Sequence, residues 1–180
     1  MTWFNRLLWW KVRGGETDGA SVQPKPIGDA TPGLSAEGYA SALHQVLSQH
    51  NTHALDQMTA LVQHLPPRAT ELHFGVHPDQ DGTGTFTVMA HVIGPDQYVL
   101  NKAVAAYRVI FDVKMTATGL TPAVPMMDNF SLPYEVNDVI VDTVADWLAA
   151  RVTDLPQKPA VKMTVFGDEG YGTTAPRNLG

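Results

Sequence analysis

Three histidines are the residues with the clearest chemical promise. His73, His77 and His91 fall in two short stretches, ELHFGVH and FTVMAHV, in which apolar and polar residues alternate. Alternation of this kind places every second side chain on one face of a strand. All three histidines therefore share the polar face, beside Glu71. Where His73 lies opposite His91, the two side chains are close enough to hold a divalent metal ion, and imidazole is the usual ligand for one. The competing reading is a solvated sheet face on which histidine is merely tolerated.

The turn between these stretches, HPDQDGTGT, invites a calcium reading because Asp79 and Asp81-Gly82 echo the start of an EF-hand loop. The pattern fails at its end. With Gly82 in the sixth position, Val88 occupies the twelfth, where a bidentate carboxylate is required. Asp and Gly also suit a tight turn. His44, His50, His53 and His64 form no paired metal motif, and no serine or threonine sits in a nucleophile-elbow setting. GDEGYG near the C-terminus lacks the Lys and Ser/Thr of a phosphate-binding loop. The sequence thus points to no cofactor.

A different kind of chemistry is offered by Asp138, Asp142 and Asp146, spaced at i, i+4 and i+8. On a helix they form one acidic stripe, which is either a solvated face or a surface for a basic partner. A loop carrying Met126, Met127 and Phe130 reads as a second exposed contact surface.

The elements that must position these residues can be read from their periodicity. Ser35 caps a long helix whose apolar face runs from Tyr39 to Leu65 and which Pro66-Pro67 stops, with a kink or break expected at Asn51-Thr52. The hairpin 69–93 follows. Residues directly opposite must share a face, so His77 pairs with Thr85 or Thr87, and the turn has odd length or carries a bulge. Leu100, Val104, Tyr107 and Phe111 predict a second helix, whereas Phe111, Val113 and Met115 alternate as a short strand. Residues 116–133 read as an irregular loop and Glu135–Val152 as a third helix. Ala160–Phe166 reads as a further strand, and 167–180 as a Gly-rich tail. The predicted fold is α+β: a small, mainly antiparallel sheet (69–93 with 160–166) packed against about three helices in a single domain, 35–166.

Ahead of the domain, residues 1–13 form a Trp-rich arm in which Trp3, Phe4, Leu7, Leu8 and Trp10 cover one side of a helical wheel. Cations flank that side, so the arm suits either a peripheral membrane contact or docking on its own domain or a second copy of the chain. Residues 14–34 read as a flexible linker. The formal charge of −6 over 180 residues disfavours nucleic-acid binding. The absence of cysteine suits a reducing, cytoplasmic setting.

Three segments, HPDQDGTGTFTV, GPDQYVLNKAV and PYEVNDVIVDTVADW, resemble a family of small bacterial domains of unknown function. The resemblance spans roughly 35–151. It implies a bacterial origin and a stand-alone domain of the kind found among immunity and adaptor proteins, and it brings no activity or catalytic residues. With no catalytic kit, the expectation is a non-enzymatic protein-binding module, toxin-neutralising or accessory; the alternatives are a membrane-peripheral or assembly protein acting through the arm and a metal-dependent enzyme using the histidines of the hairpin's polar face.

Overall fold

The computed structural model describes residues 34–127 and 132–180. The arm at Trp3, Phe4, Leu7, Leu8 and Trp10, most of the expected linker, and Phe130 lie outside these residues. The first helical run is divided into α1 (Ala36–Gln49) and α2 (Asn51–Gln63) at His50. Ser35 caps α1 by accepting a hydrogen bond from the Gly38 N–H at 3.2 Å. The break has a structural use. It turns the Asn51 side chain to accept hydrogen bonds from Trp147 Nε1 (2.8 Å) and from the Arg151 guanidinium (2.5 Å), which pins the junction to the last helix.

Strands β1 (Glu71–Pro78) and β2 (Phe86–Ile93) form the expected hairpin. Its register pairs His77 with Thr87 and His73 with His91, one of the two registers that alternation allows. The turn Asp79–Thr85 has odd length, as a shared face demands. Asp79 saturates it: its carboxylate accepts hydrogen bonds from the Thr83 N–H and from the hydroxyls of Thr83 and Thr85. The second predicted helix is short. α3 (Gln97–Ala103) and a 3-10 turn (Ala105–Tyr107) give way to strand β3 (Val109–Thr116), so Phe111 belongs to a strand. Alternation in VIFDVKM outweighs the weaker helical spacing upstream. The expected loop 116–133 contains a short strand, β4 (Gly119–Thr121).

Helix α4 (Val136–Thr153) is followed by β5 (Lys162–Gly167), a 3-10 turn (Asp168–Gly170) and β6 (Arg177–Asn178). The sheet order is β4-β3-β2-β1-β5-β6, antiparallel except where β1 and β5 run parallel. The fold is α+β, with four α-helices and a six-stranded sheet among the described residues. The segment read as a tail therefore supplies an edge strand, and Leu179 enters the core at 6% exposure.

The helices cover one face of the sheet. Leu72, Phe74 and Val76 of β1 and Phe86, Val88, Ala90 and Val92 of β2 point into the core formed with Tyr39, Leu43, Leu47, Met58, Leu61, Ile140, Val144, Trp147 and Leu148. At about 25 cal/mol per Å² of apolar area removed from water, this continuous core is the main stabilising term. Residues of opposite parity on β1 and β2, the histidines among them, face away from it and, Gly75 apart, are half-exposed.

Candidate functional site

Among the described residues, the sheet face opposite the helices holds a linear hydrogen-bonded chain of four side chains. His77 Nδ1 lies 2.9 Å from Asp168 Oδ2, His77 Nε2 lies 3.1 Å from His91 Nε2, and His91 Nδ1 lies 3.4 Å from Nη2 of Arg108. Each member comes from a different element. His77 is on β1 and His91 on β2, Arg108 precedes β3, and Asp168 opens the turn after β5. Arg108 is held in place by backbone contacts, since its Nε donates to the Ala90 carbonyl at 2.8 Å and its own carbonyl accepts from the Ala90 N–H. The Asp168 carboxyl sits below the usual carboxylate range, chiefly because of its hydrogen bond from His77.

His91 is held neutral. Burial comes first, and the nearby His77, Arg108 and His73 add to it, so that its pKa falls to about 4. Glycine at position 75 makes room for the cluster: a Cβ there would lie 2.5 Å from His77 Nε2 and 2.9 Å from Phe166 Cζ. Phe166 is the hub of an aromatic group, its ring centroid 6.3, 6.1 and 6.0 Å from those of His73, His77 and His91. Beside the cluster a shallow groove of about 540 Å³ runs past His77, Thr87, Asp112 and Lys114.

The three histidines do not converge on one point. His73 turns aside to donate to Glu71 Oε2 at 2.9 Å, while His77 and His91 face each other diagonally across the hairpin. Among the described residues no three His, Asp or Glu side chains form a metal cage. Arg108 adds a further obstacle. A metal on His91 Nε2 would move that ring's proton to Nδ1, where it would oppose the guanidinium donor.

Each aspartate of the acidic stripe has a partner in the C-terminal segment, although Asp146 stays 72% exposed. Asp138 accepts the Gly172 N–H at 2.7 Å, and Asp146 pairs with Arg177 at 2.7 Å. Asp142 takes four donors: the N–H and hydroxyl of Thr173 on one oxygen, and those of Thr174 on the other. Burial works to raise the Asp142 pKa, but these four bonds outweigh it and leave the group below its ordinary value. Residues 171–177 thus form a strap along α4. Its close approach depends on Gly172, whose φ is +98° and where a Cβ would lie 2.4 Å from Val141 Cγ1. The strap lies over Val141, so α4 is buried there as well as along Ile140, Val144 and Leu148. In the Met loop, the two described methionines lean inward. Met127 is 4% exposed and Met126 packs against the core.

Asp168, Arg108, Gly75 and Phe166 are the site residues that sequence reasoning missed. GDEGYGTTAPR did carry a signal, because two hydroxyl residues and an arginine follow the glycines at a spacing that fits a row of aspartates.

Fold and site together define a class: an α+β domain whose six-stranded sheet packs its helices against one face. Residues 34–179 match the model of a family of unknown function (DUF6389), and the chain belongs to that family. No curated protein and no solved structure matches it.

Proposed function

We propose that this domain is a non-enzymatic protein-binding module, of the immunity-like or accessory kind, whose working surface is the open face of the sheet. The observation that carries this reading is the Phe166 ring, surrounded by His73, His77 and His91 on a face that no helix covers among the described residues. Met89 lies on the same face, and Glu71, Arg108, Asp112, Lys114 and Asp168 provide charged and polar groups around it. An aromatic and Met centre inside a charged rim is the composition that distinguishes protein-contact surfaces. The acidic stripe, already engaged by the strap, gives way to this face as the contact surface. His77 with Asp168 resembles a general-base dyad, but its Nε2 is turned to His91 rather than to a hydroxyl nucleophile, which favours binding over catalysis.

The test is affinity capture from the native cell followed by reconstitution with the purified partner. Phe166→Ala and Met89→Glu are expected to weaken binding at least tenfold, as truncation of a central anchor does. Asp146→Lys, in the strap contact, leaves it unchanged. Wild-type affinity in both face variants, with folding confirmed by circular dichroism, would remove the face from consideration.

A further inference from the structure

Donor and acceptor logic fixes where the protons sit in the chain of four. The Arg108 guanidinium can only donate, so the His91 Nδ1 facing it carries a lone pair. The proton of His91 is therefore on Nε2 and donates to Nε2 of His77, which must be bare. His77 then carries its proton on Nδ1 and donates it to Asp168. Arg108 to His91 to His77 to Asp168 is the one arrangement of neutral imidazoles in which every contact joins a donor to an acceptor.

A further proton has no good place in this arrangement. On His77 Nε2 it would set two N–H groups head to head at 3.1 Å. On His91 Nδ1 it would face the guanidinium. The groups surrounding the pair decide which ring takes it. From the turn after β5 comes Asp168, the one carboxylate bonded to either ring, and it touches His77. From the segment before β3 comes Arg108, which touches His91. On β1, His73 is engaged by Glu71. β5 contributes the uncharged Phe166 and β2 the uncharged Met89. Charge on His77 is supported by its carboxylate, whereas charge on His91 is opposed by Arg108 and by burial.

We propose that His77 and His91 form a one-proton latch across the hairpin, closed only while both rings are neutral. Uptake of one proton by His77 keeps its bond to Asp168, expels the His91 ring and rearranges the aromatic centre of the contact face. This rests on the reading of that face as the partner surface, and it makes docking pH-dependent. Binding and proton uptake are linked reciprocally: a partner that selects the closed latch excludes the proton, and the proton excludes the partner.

The experiment is long-range 1H–15N NMR of the full chain with 15N-labelled histidine, with no partner present. At pH 7.5 the expected spectrum shows His77 protonated at Nδ1 and His91 at Nε2. On acidification both Nε2 signals shift in one concerted step as His77 gains its proton. In His91→Ala the His77 step moves to higher pH, because the opposing N–H is gone, and His73→Ala leaves both tautomers as they were. His77 found protonated at Nε2 at neutral pH, or two rings titrating independently, overturns the latch. So does a zinc titration that moves both Nε2 signals at stoichiometric metal, which would put a cation between the rings. With purified partner, affinity is expected to fall tenfold per pH unit below the concerted step. A flat affinity beside a confirmed latch overturns the coupling, while failure of the face variants to affect binding overturns the partner surface alone.

Discussion

Replacing Asp142 by alanine removes the acceptor for four donors at once, and the cost can be worked from the structure. A hydrogen bond to a charged group contributes about 1.5–3 kcal/mol. The four donors share one half-buried carboxylate, and water can reach part of the vacated site, so the net loss is about 2–3 kcal/mol rather than the sum. Asp138→Ala frees a single backbone N–H and costs about 1 kcal/mol. Asp146→Ala breaks an ion pair whose carboxylate is 72% exposed and costs no more than about 0.5 kcal/mol. With a urea slope of about 2 kcal/mol per molar, Asp142→Ala lowers the unfolding midpoint by about 1 M, and the other two by half that or less. Asp142→Asn is expected to be no rescue. Whichever oxygen becomes an amide nitrogen then opposes a backbone N–H that cannot turn away. Equilibrium urea unfolding followed by tryptophan fluorescence gives all four values. Equal midpoints for the three alanine variants, or a wild-type midpoint for Asp142→Asn, would refute the strap as a structural element.

Two further outcomes follow from the open face. Gly75→Ala puts a methyl group into the space held by the His77 ring and Phe166, and is expected to destabilise the domain by about 1–3 kcal/mol and to abolish the concerted histidine titration. A melting temperature and titration like wild type would show that the ring does not lie over position 75. Stability should also fall as pH drops. While its contact with His77 is closed, His91 stays neutral in the native state down to about pH 4 but takes up a proton near 6.5 when unfolded, so its contribution is intact above 6.5 and is lost between 6.5 and 4. At about 1.4 kcal/mol per pH unit the ceiling is about 3.5 kcal/mol, and the half-exposed setting reduces it to about 1–2. His91→Phe should flatten that part of the stability profile measured by urea unfolding. A profile as steep as wild type assigns the loss to other groups.

Much of the fold could be read from local pattern because local pattern is what builds it. The alternation of Leu72, Phe74 and Val76 against His73 and His77 specifies both the strand and its buried face, and parity then restricts the hairpin to registers that a turn of odd length can serve. The helix boundary at Pro66 and the acidic spacing on α4 are equally local. What escaped is contact between distant segments. Asp168 meets His77, and Thr173 meets Asp142, across separations that no period records. The boundary near Tyr107 escaped for another reason. Leu100, Val104 and Phe111 satisfy a helical spacing while Phe111, Val113 and Met115 satisfy a strand, and the pairing of β3 with β2 settles the competition. The site followed the same division: the histidines were visible, but the partners that fix their protons were not.

The parallel pairing of β1 with β5 and the strap across α4 have a consequence for biosynthesis. β1 leaves the ribosome well before the strand that completes one of its edges, and α4 emerges before the segment that covers its outer side. Until residues 162–179 are out, the nascent chain shows an unpaired edge on its central strand and a helix with an uncovered flank, the two exposures that invite aggregation and chaperone capture. A translation product stopped just after α4 would keep most of its hydrophobic residues and still lack a finished surface.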